Sequence, residues 1–222
     1  MARAPHGRYA PKSRLRHGIP EEADRRDLYR GFLLDTLATC RSIANVTVHV
    51  AYAPDGGTGG FETLDLSPSD LLAQRGSDLG TRQCGIFEDL FDAGHSKVLV
   101  IGSDLPTLPV QYIEDALSKV NDSLVVLGPS EDGGYYLMGL TAPRGHDPVP
   151  DLFTNIRWST ASALEDTIHA AERTGLTVSQ VASWYDIDTV DGLSRLQEDL
   201  TTAKHIQRAP ETARTLRRIT SR

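Results

Sequence analysis

Four short segments concentrate the side chains able to do chemistry. The first is the loop Pro5-His6-Gly7-Arg8-Tyr9-Ala10-Pro11-Lys12-Ser13-Arg14-Leu15, rich in cations and free of acid. Backbone amides and guanidinium groups in such a loop could hold a di- or triphosphate; a solvated basic loop reads the same way. The second is Gly102-Ser103-Asp104-Leu105-Pro106, directly after the apolar run Lys97 to Gly102. A carboxylate at a strand end, beside phosphates, is the hard oxygen ligand that Mg²⁺ or Mn²⁺ takes, although Asp104 could instead cap the next helix.

The third segment is Gly128-Pro129-Ser130-Glu131-Asp132-Gly133-Gly134-Tyr135-Tyr136, where the paired glycines allow either a close backbone approach to a ligand or a tight turn. The fourth is Tyr185-Asp186-Ile187-Asp188-Thr189. Period-two spacing on an extended segment projects Asp186 and Asp188 to one side, where they could share a cation with Asp104; a helix cap at Asp188 or Thr189 is the plainer alternative. No Gly-x-Ser-x-Gly elbow or His-Glu-x-x-His group is present, and Gly7 is followed by Lys12-Ser13 without the second glycine of a P-loop.

These segments need strands to hold them. Spacing predicts a helix over Ile19 to Ser42 and strands over Val46 to Ala53, Lys97 to Gly102, Ser123 to Gly128, Gly134 to Leu140 and Thr177 to Val181. Further helices are predicted over Leu79 to Ala93, Pro109 to Val120, Thr160 to Thr174 and from about Val190. Strands alternating with helices of this length predict an α/β fold with a mainly parallel sheet covered on both faces, and Lys97 to Gly102 reads as its central strand. Ligands in such sheets collect beyond the carboxyl ends of strands, where the second to fourth segments lie. Residues 1–200 read as one domain and 201–222 as a basic tail or docked helix.

The chain has 222 residues, 39% hydrophobic and 24% charged, with a formal net charge of -7 and a pI near 5.5. That balance argues against nucleic acid as partner, and no apolar run is long enough to span a bilayer. Two distant cysteines, Cys40 and Cys84, suggest neither a disulfide framework nor a zinc site, so a reducing cytoplasm is expected. The basic amino end lacks the apolar region of a secretory signal.

Taken together, Ser103-Asp104-Leu105-Pro106-Thr107-Leu108-Pro109, Gly128-Pro129 with Asp132-Gly133-Gly134-Tyr135-Tyr136-Leu137, Trp158-Ser159-Thr160, Asp186-Ile187-Asp188-Thr189-Val190-Asp191 and the stretch Gln74 to Arg82 resemble the DUF2064 group of GT-A-like transferases. The resemblance runs from about Ala2 to Leu200. That group is described as related to nucleotide-diphospho-sugar transferases and is similar in plan to molybdopterin and phospholactate guanylyltransferases. It implies a GT-A-like, Rossmann-like three-layer sandwich with a mainly parallel mixed sheet, and Lys12, Arg14 and Asp104 as the catalytic candidates. Asp104, Asp186 and Asp188 are its candidates for a metal. Gly7, Arg8, Lys12, Ser13 (in place of the usual threonine), Arg14, Asp78, Gly80, Arg82, Asp132, Gly133 and Gly134 are its candidates for the nucleotide.

The reaction expected is nucleotidyl transfer from an NTP to a small phosphorylated or sugar-like acceptor. Glycosyl transfer from a sugar nucleotide and a non-catalytic nucleotide-binding subunit are the alternatives, and the oligomeric state stays open, a homodimer included. Two departures stand out. Arg8-Tyr9-Ala10-Pro11 lengthens and stiffens the loop between Gly7 and Lys12, and only Met1 to Ala4 precede Pro5, so the first strand is expected to be truncated.

Overall fold

Leu28, Phe32, Leu33 and Leu37 recur at helical spacing, and in the computed structural model all four are buried on one face of α1, Glu22–Arg41. The helix opens after Pro20, at Glu22 rather than at Ile19, with Glu21 as its N-cap. The structure describes residues 1–121, 124–145 and 147–221. Ser123, in the predicted strand, and Arg222, in the predicted tail, lie outside them.

The chain divides into two compact units. One comprises Met1–Ala73, Gly102–Val110 and Asp186–Arg222. Its sheet pairs β1, Val50–Tyr52, in parallel with β2, Leu71–Ala73, the latter too short for the sequence to signal. The expected strand from Val46 shrinks to β1 because pairing extends over three residues only, with Asn45 turning the chain at positive φ just before. Where the first strand was expected, Ala2 forms an isolated bridge. It bridges Tyr52 in parallel, donating its N–H to Ala51 O at 2.8 Å and accepting from Ala53 N–H at 3.0 Å.

The other unit comprises Gln74–Ile101 and Gln111–Tyr185. Here α2, Leu79–Asp92, and β3, Lys97–Ile101, precede α3, Val110–Lys119. Then come β4, Leu124–Pro129, β5, Tyr135–Thr141, α4, Ala163–Arg173, and β6, Thr177–Gln180. The sheet order is β3-β5-β4-β6, with β5 antiparallel to both neighbours and β4 parallel to β6.

The sheet is therefore mixed. The short turn at Asp132-Gly133-Gly134 returns the chain as β5, which inserts between β3 and β4; β3 ends the row rather than centring it, and Leu99, Val100 and Ile101 are only half-buried. The core gathers Phe87 from α2 with Val98, Val125, Leu127, Met138, Leu140 and Phe153.

After α5, Val190–Asp199, the basic terminal segment forms α6, Ala203–Arg208, and α7, Pro210–Thr220, which belong to the first unit. α7 packs against α1 within this unit. Ala213 and Leu216 of α7 are buried, and Gly31 of α1 lets the Thr212 backbone approach so closely that a Cβ there would lie 3.3 Å from it. Asp35 of α1, also buried, accepts hydrogen bonds from Glu211 N–H and Thr212 N–H and so satisfies two orphan donors at the start of α7.

Candidate functional site

Lys12 adopts a left-handed backbone, φ 57 and ψ 35, at the start of the short 3-10 turn Ser13–His17. A residue other than glycine pays roughly 1 to 2 kcal/mol for this conformation. It turns the side chain inward, leaving it 4% exposed, with Nζ 5.9 Å from the centre of the Phe32 ring and 6.0 Å from that of Tyr29. A buried ammonium requires counter-charges. Two are present: Asp104 Oδ2 and Asp188 Oδ1 each lie 2.6 Å from Nζ.

The opposing influences on this cluster decide its charge state. Burial works to strip Lys12 of its proton, yet the charges of Asp104 and Asp188 and the hydrogen bonds to both outweigh it, and the lysine is held above its ordinary range. Burial likewise disfavours the Asp188 carboxylate, but Lys12 and then Arg14 pull its carboxyl below the ordinary value. Arg14 Nη1 stands 3.7 Å from Asp188 Oδ2 on a side chain 73% exposed, a loose pair that leaves most of its guanidinium free for an anion.

Asp104 is oriented by a relay. Ser103 Oγ donates to Asp104 Oδ1 at 3.2 Å, and Tyr29 Oη lies 3.1 Å from Ser103 Oγ. The serine has one proton and gives it to Asp104, so the phenol must donate to the serine while accepting from Arg3 N–H at 2.9 Å. Burial and the nearby Asp104 charge push the Tyr29 phenol up to about 12, which keeps that donor proton in place. The main chain adds a tie from Ile187 N–H to Asp104 O at 3.3 Å.

Neither Tyr29 nor Phe32 was singled out from the sequence, because aromatic residues at helical spacing read as core. Arg26 was missed because one arginine among several charges on a helix reads as a solvated face. Its Nη1 donates to Pro5 O at 2.9 Å and Gly7 O at 3.0 Å while Nε pairs with Glu22, so α1 clamps the basic loop by its carbonyls.

The loop differs from an open amide cradle. His6, Gly7 and Arg8 donate their N–H groups to Gly59, Ala4 and Gly56 carbonyls. A Cβ on Gly7 would sit 2.4 Å from Gly56 O, so close packing requires this glycine. Arg8 stacks its guanidinium over the Tyr9 ring at 5.6 Å, and Tyr9 and Ser13 are exposed. Asp186 is half-buried two residues before Asp188. Among the described residues, no three His, Cys, Asp or Glu side chains come together in a group able to hold a metal; the structure joins Asp104 and Asp188 through Lys12 instead.

The remaining candidates lie in the second unit and have local roles there. Asp78 caps α2, accepting from Thr81 N–H at 2.8 Å while Thr81 Oγ1 reaches back to Asp78 N–H. Gly80 admits Trp158, whose Nε1 would be 2.9 Å from a Cβ, and Arg82 Nε donates to Gly76 O. Asp132 accepts from Gly134 N–H at 3.0 Å, and Gly133, at φ +88, presses against the Ala161 backbone.

The bacterial family described as uncharacterized conserved protein DUF2064 matches residues 36–160. A crystal structure from Desulfovibrio desulfuricans G20, provisionally described as a nucleotide-diphospho-sugar transferase, is 30% identical with a TM-score of 0.84. The alignment covers 99% of this chain and 93% of that one. The α/β fold is the one that relative shares. No curated protein matches the chain. Among the described residues, no helix is long and apolar enough to cross a membrane.

Proposed function

The chain belongs to the DUF2064 family, and from that membership together with the Lys12, Asp104 and Asp188 cluster we propose that it is a transferase acting on a nucleotide substrate, moving a nucleotidyl group from an NTP to a small phosphorylated or sugar-like acceptor. The observation that carries this reading is the buried Lys12 ammonium between two carboxylates, with the exposed Arg14 cation beside it. A pentavalent phosphorus transition state develops charge on its oxygens, and fixed cations stabilise it without any covalent nucleophile.

In this reading Lys12 and Arg14 contact the phosphates, and Arg8 and Ser13 border them from the same loop. Asp104 and Asp188 fit a hard divalent ion, since Mg²⁺ and Mn²⁺ use one or two carboxylates and complete their shell with phosphate oxygens and water. Asp104 and Asp188 are 27% and 41% exposed at the side chain and so open to an entering ion, with Asp186 as a third nearby carboxylate in sequence. The ion would neutralise phosphate charge. Gly7 supports the loop through its close packing against Gly56.

The description of the Desulfovibrio relative favours a second reading, glycosyl transfer from a sugar nucleotide. A thermal-shift panel of NTPs and sugar nucleotides, with and without Mg²⁺, separates the two. A ligand at 100 times its Kd adds about 2.7 kcal/mol to stability. Mg²⁺-dependent stabilisation by an NTP, followed by pyrophosphate release with an acceptor, supports the first; stabilisation by a sugar nucleotide alone supports the second. No response to any nucleotide sinks both.

A further inference from the structure

We propose that Lys12 is the resident cation of the Asp104 and Asp188 pair, and that a divalent ion enters this site only by displacing its ammonium. The inference rests on the reading that the site takes a divalent ion, and it assigns Lys12 a role that reading does not require: competitor for the carboxylates before it is a contact for phosphate.

Every oxygen of the two carboxylates already has a partner from the chain. Asp104 Oδ1 accepts from Ser103 and Oδ2 faces Lys12; Asp188 Oδ1 faces Lys12 and Oδ2 faces Arg14. Two cations therefore balance two anions with no metal required. An ion ligated by both aspartates would take the oxygens that now hold Nζ, and an ammonium kept at hydrogen-bond distance from the same oxygens would face a double positive charge across a few ångströms. That repulsion is large in a partly desolvated site.

The chain is built for the exchange. The αL backbone at Lys12 is strained, and strain at a site of this kind marks an arrangement that a ligand can release. Arg14, largely exposed, and the anchored Asp104 can stay in place while the flexible lysine stem moves. The displaced ammonium needs a new anion, so metal and phosphorylated ligand should enter together, each lowering the other's dissociation constant.

The test is direct Mn²⁺ binding, read by the EPR signal of free Mn²⁺, to the wild-type protein and to Lys12→Met and Lys12→Gln, with no nucleotide present. Both variants should bind Mn²⁺ at least tenfold more tightly than wild type. Equal or weaker binding overturns the proposal. Loss of Lys12 leaves two partly buried carboxylates uncompensated; a variant that is unfolded without metal should refold on addition of Mn²⁺, followed by circular dichroism, and failure to refold counts against the proposal. Because no nucleotide is used, tight Mn²⁺ binding by the variants with a silent nucleotide panel would keep the exchange and sink the proposed transferase function, and the reverse pattern would do the opposite.

Discussion

Lys12 Nζ and Asp188 Oδ1, separated by 176 positions in sequence, meet at 2.6 Å. That bond ties the basic loop to the segment before α5 and makes one group serve both fold and site. Asp188→Asn keeps the shape and removes the charge. Turnover of the nucleotide substrate should fall by about 10² to 10³, the order seen when one fixed electrostatic contact is lost, while the urea unfolding free energy drops by about 1 to 3 kcal/mol, because the buried Lys12 ammonium loses one charged partner and keeps Asp104. Undiminished turnover would remove Asp188 from the site.

The same pair has a pH signature. The Asp188 carboxyl is held below its ordinary value in the fold, so its contribution to stability is present above the unfolded pKa and lost as pH falls through the lower folded one. The stability difference between wild type and Asp188→Asn should therefore stay flat from about pH 5 to 8 and shrink below about pH 4. A difference that instead shrinks between pH 6 and 8 would contradict the assignment.

Asp35 behaves in the opposite sense. Burial raises its carboxyl from 3.8 to about 6, against the hydrogen bonds from Thr212 and Glu211 that favour the charge. The folded state then binds the extra proton between those values, so ionising Asp35 lowers stability as pH rises from about 4 to 6, by on the order of 2 to 3 kcal/mol. Unfolding of wild type and Asp35→Asn across this range should show the wild-type advantage falling as pH rises and levelling off above pH 6. Asp35→Ala, which removes both caps of α7, should lose about 1 to 2 kcal/mol at every pH. A constant difference between wild type and Asp35→Asn would mean that Asp35 stays ionised throughout.

Much of this was legible in the sequence where one physical signal dominated. Continuous β-branched runs located β3, β4 and β6, and helical spacing located α1, α2 and α5, with limits mostly one to three residues away. The strand-end rule pointed to Asp104, and the alternating carboxylates to Asp188. Sheet direction was hidden because the return of the chain as β5 depends on a turn whose paired glycines suit either a ligand or a hairpin. The left-handed backbone of Lys12 leaves no trace in composition, and Tyr29 could not be told from an ordinary core aromatic until its hydroxyl was seen beside Ser103.

Gly133 settles which use its turn makes of glycine locally. It sits at φ +88, and a Cβ would fall 2.3 Å from Ala161 O and 2.6 Å from Ala161 Cα, backbone atoms that cannot swing away. Gly133→Ala should cost about 2 to 4 kcal/mol by combining strain and overpacking, measured by chemical denaturation. Gly134→Ala, where the only close neighbour is an Asp132 oxygen at 3.3 Å, should cost less than about 1 kcal/mol. Equal costs at the two positions would show that packing against Ala161 is not what fixes the glycine.

Tyr29→Phe tests whether the relay orients Asp104 or merely fills space. The phenylalanine keeps the ring beside Lys12 but removes the hydroxyl, leaving Arg3 N–H without its acceptor and Ser103 without its donor. Losing a part-buried hydrogen bond costs about 1 kcal/mol, so the melting temperature should fall measurably. With Ser103 free to rotate, Asp104 loses its preferred orientation. Nucleotide affinity at saturating Mg²⁺ should weaken several-fold, and Ser103→Ala should reproduce that weakening with little added in the double variant, because both changes cut one chain of hydrogen bonds. Losses that multiply in the double variant would mean the tyrosine hydroxyl acts independently of Ser103, through Arg3, and the orientation of Asp104 would then have to come from Lys12 and the Ile187 amide.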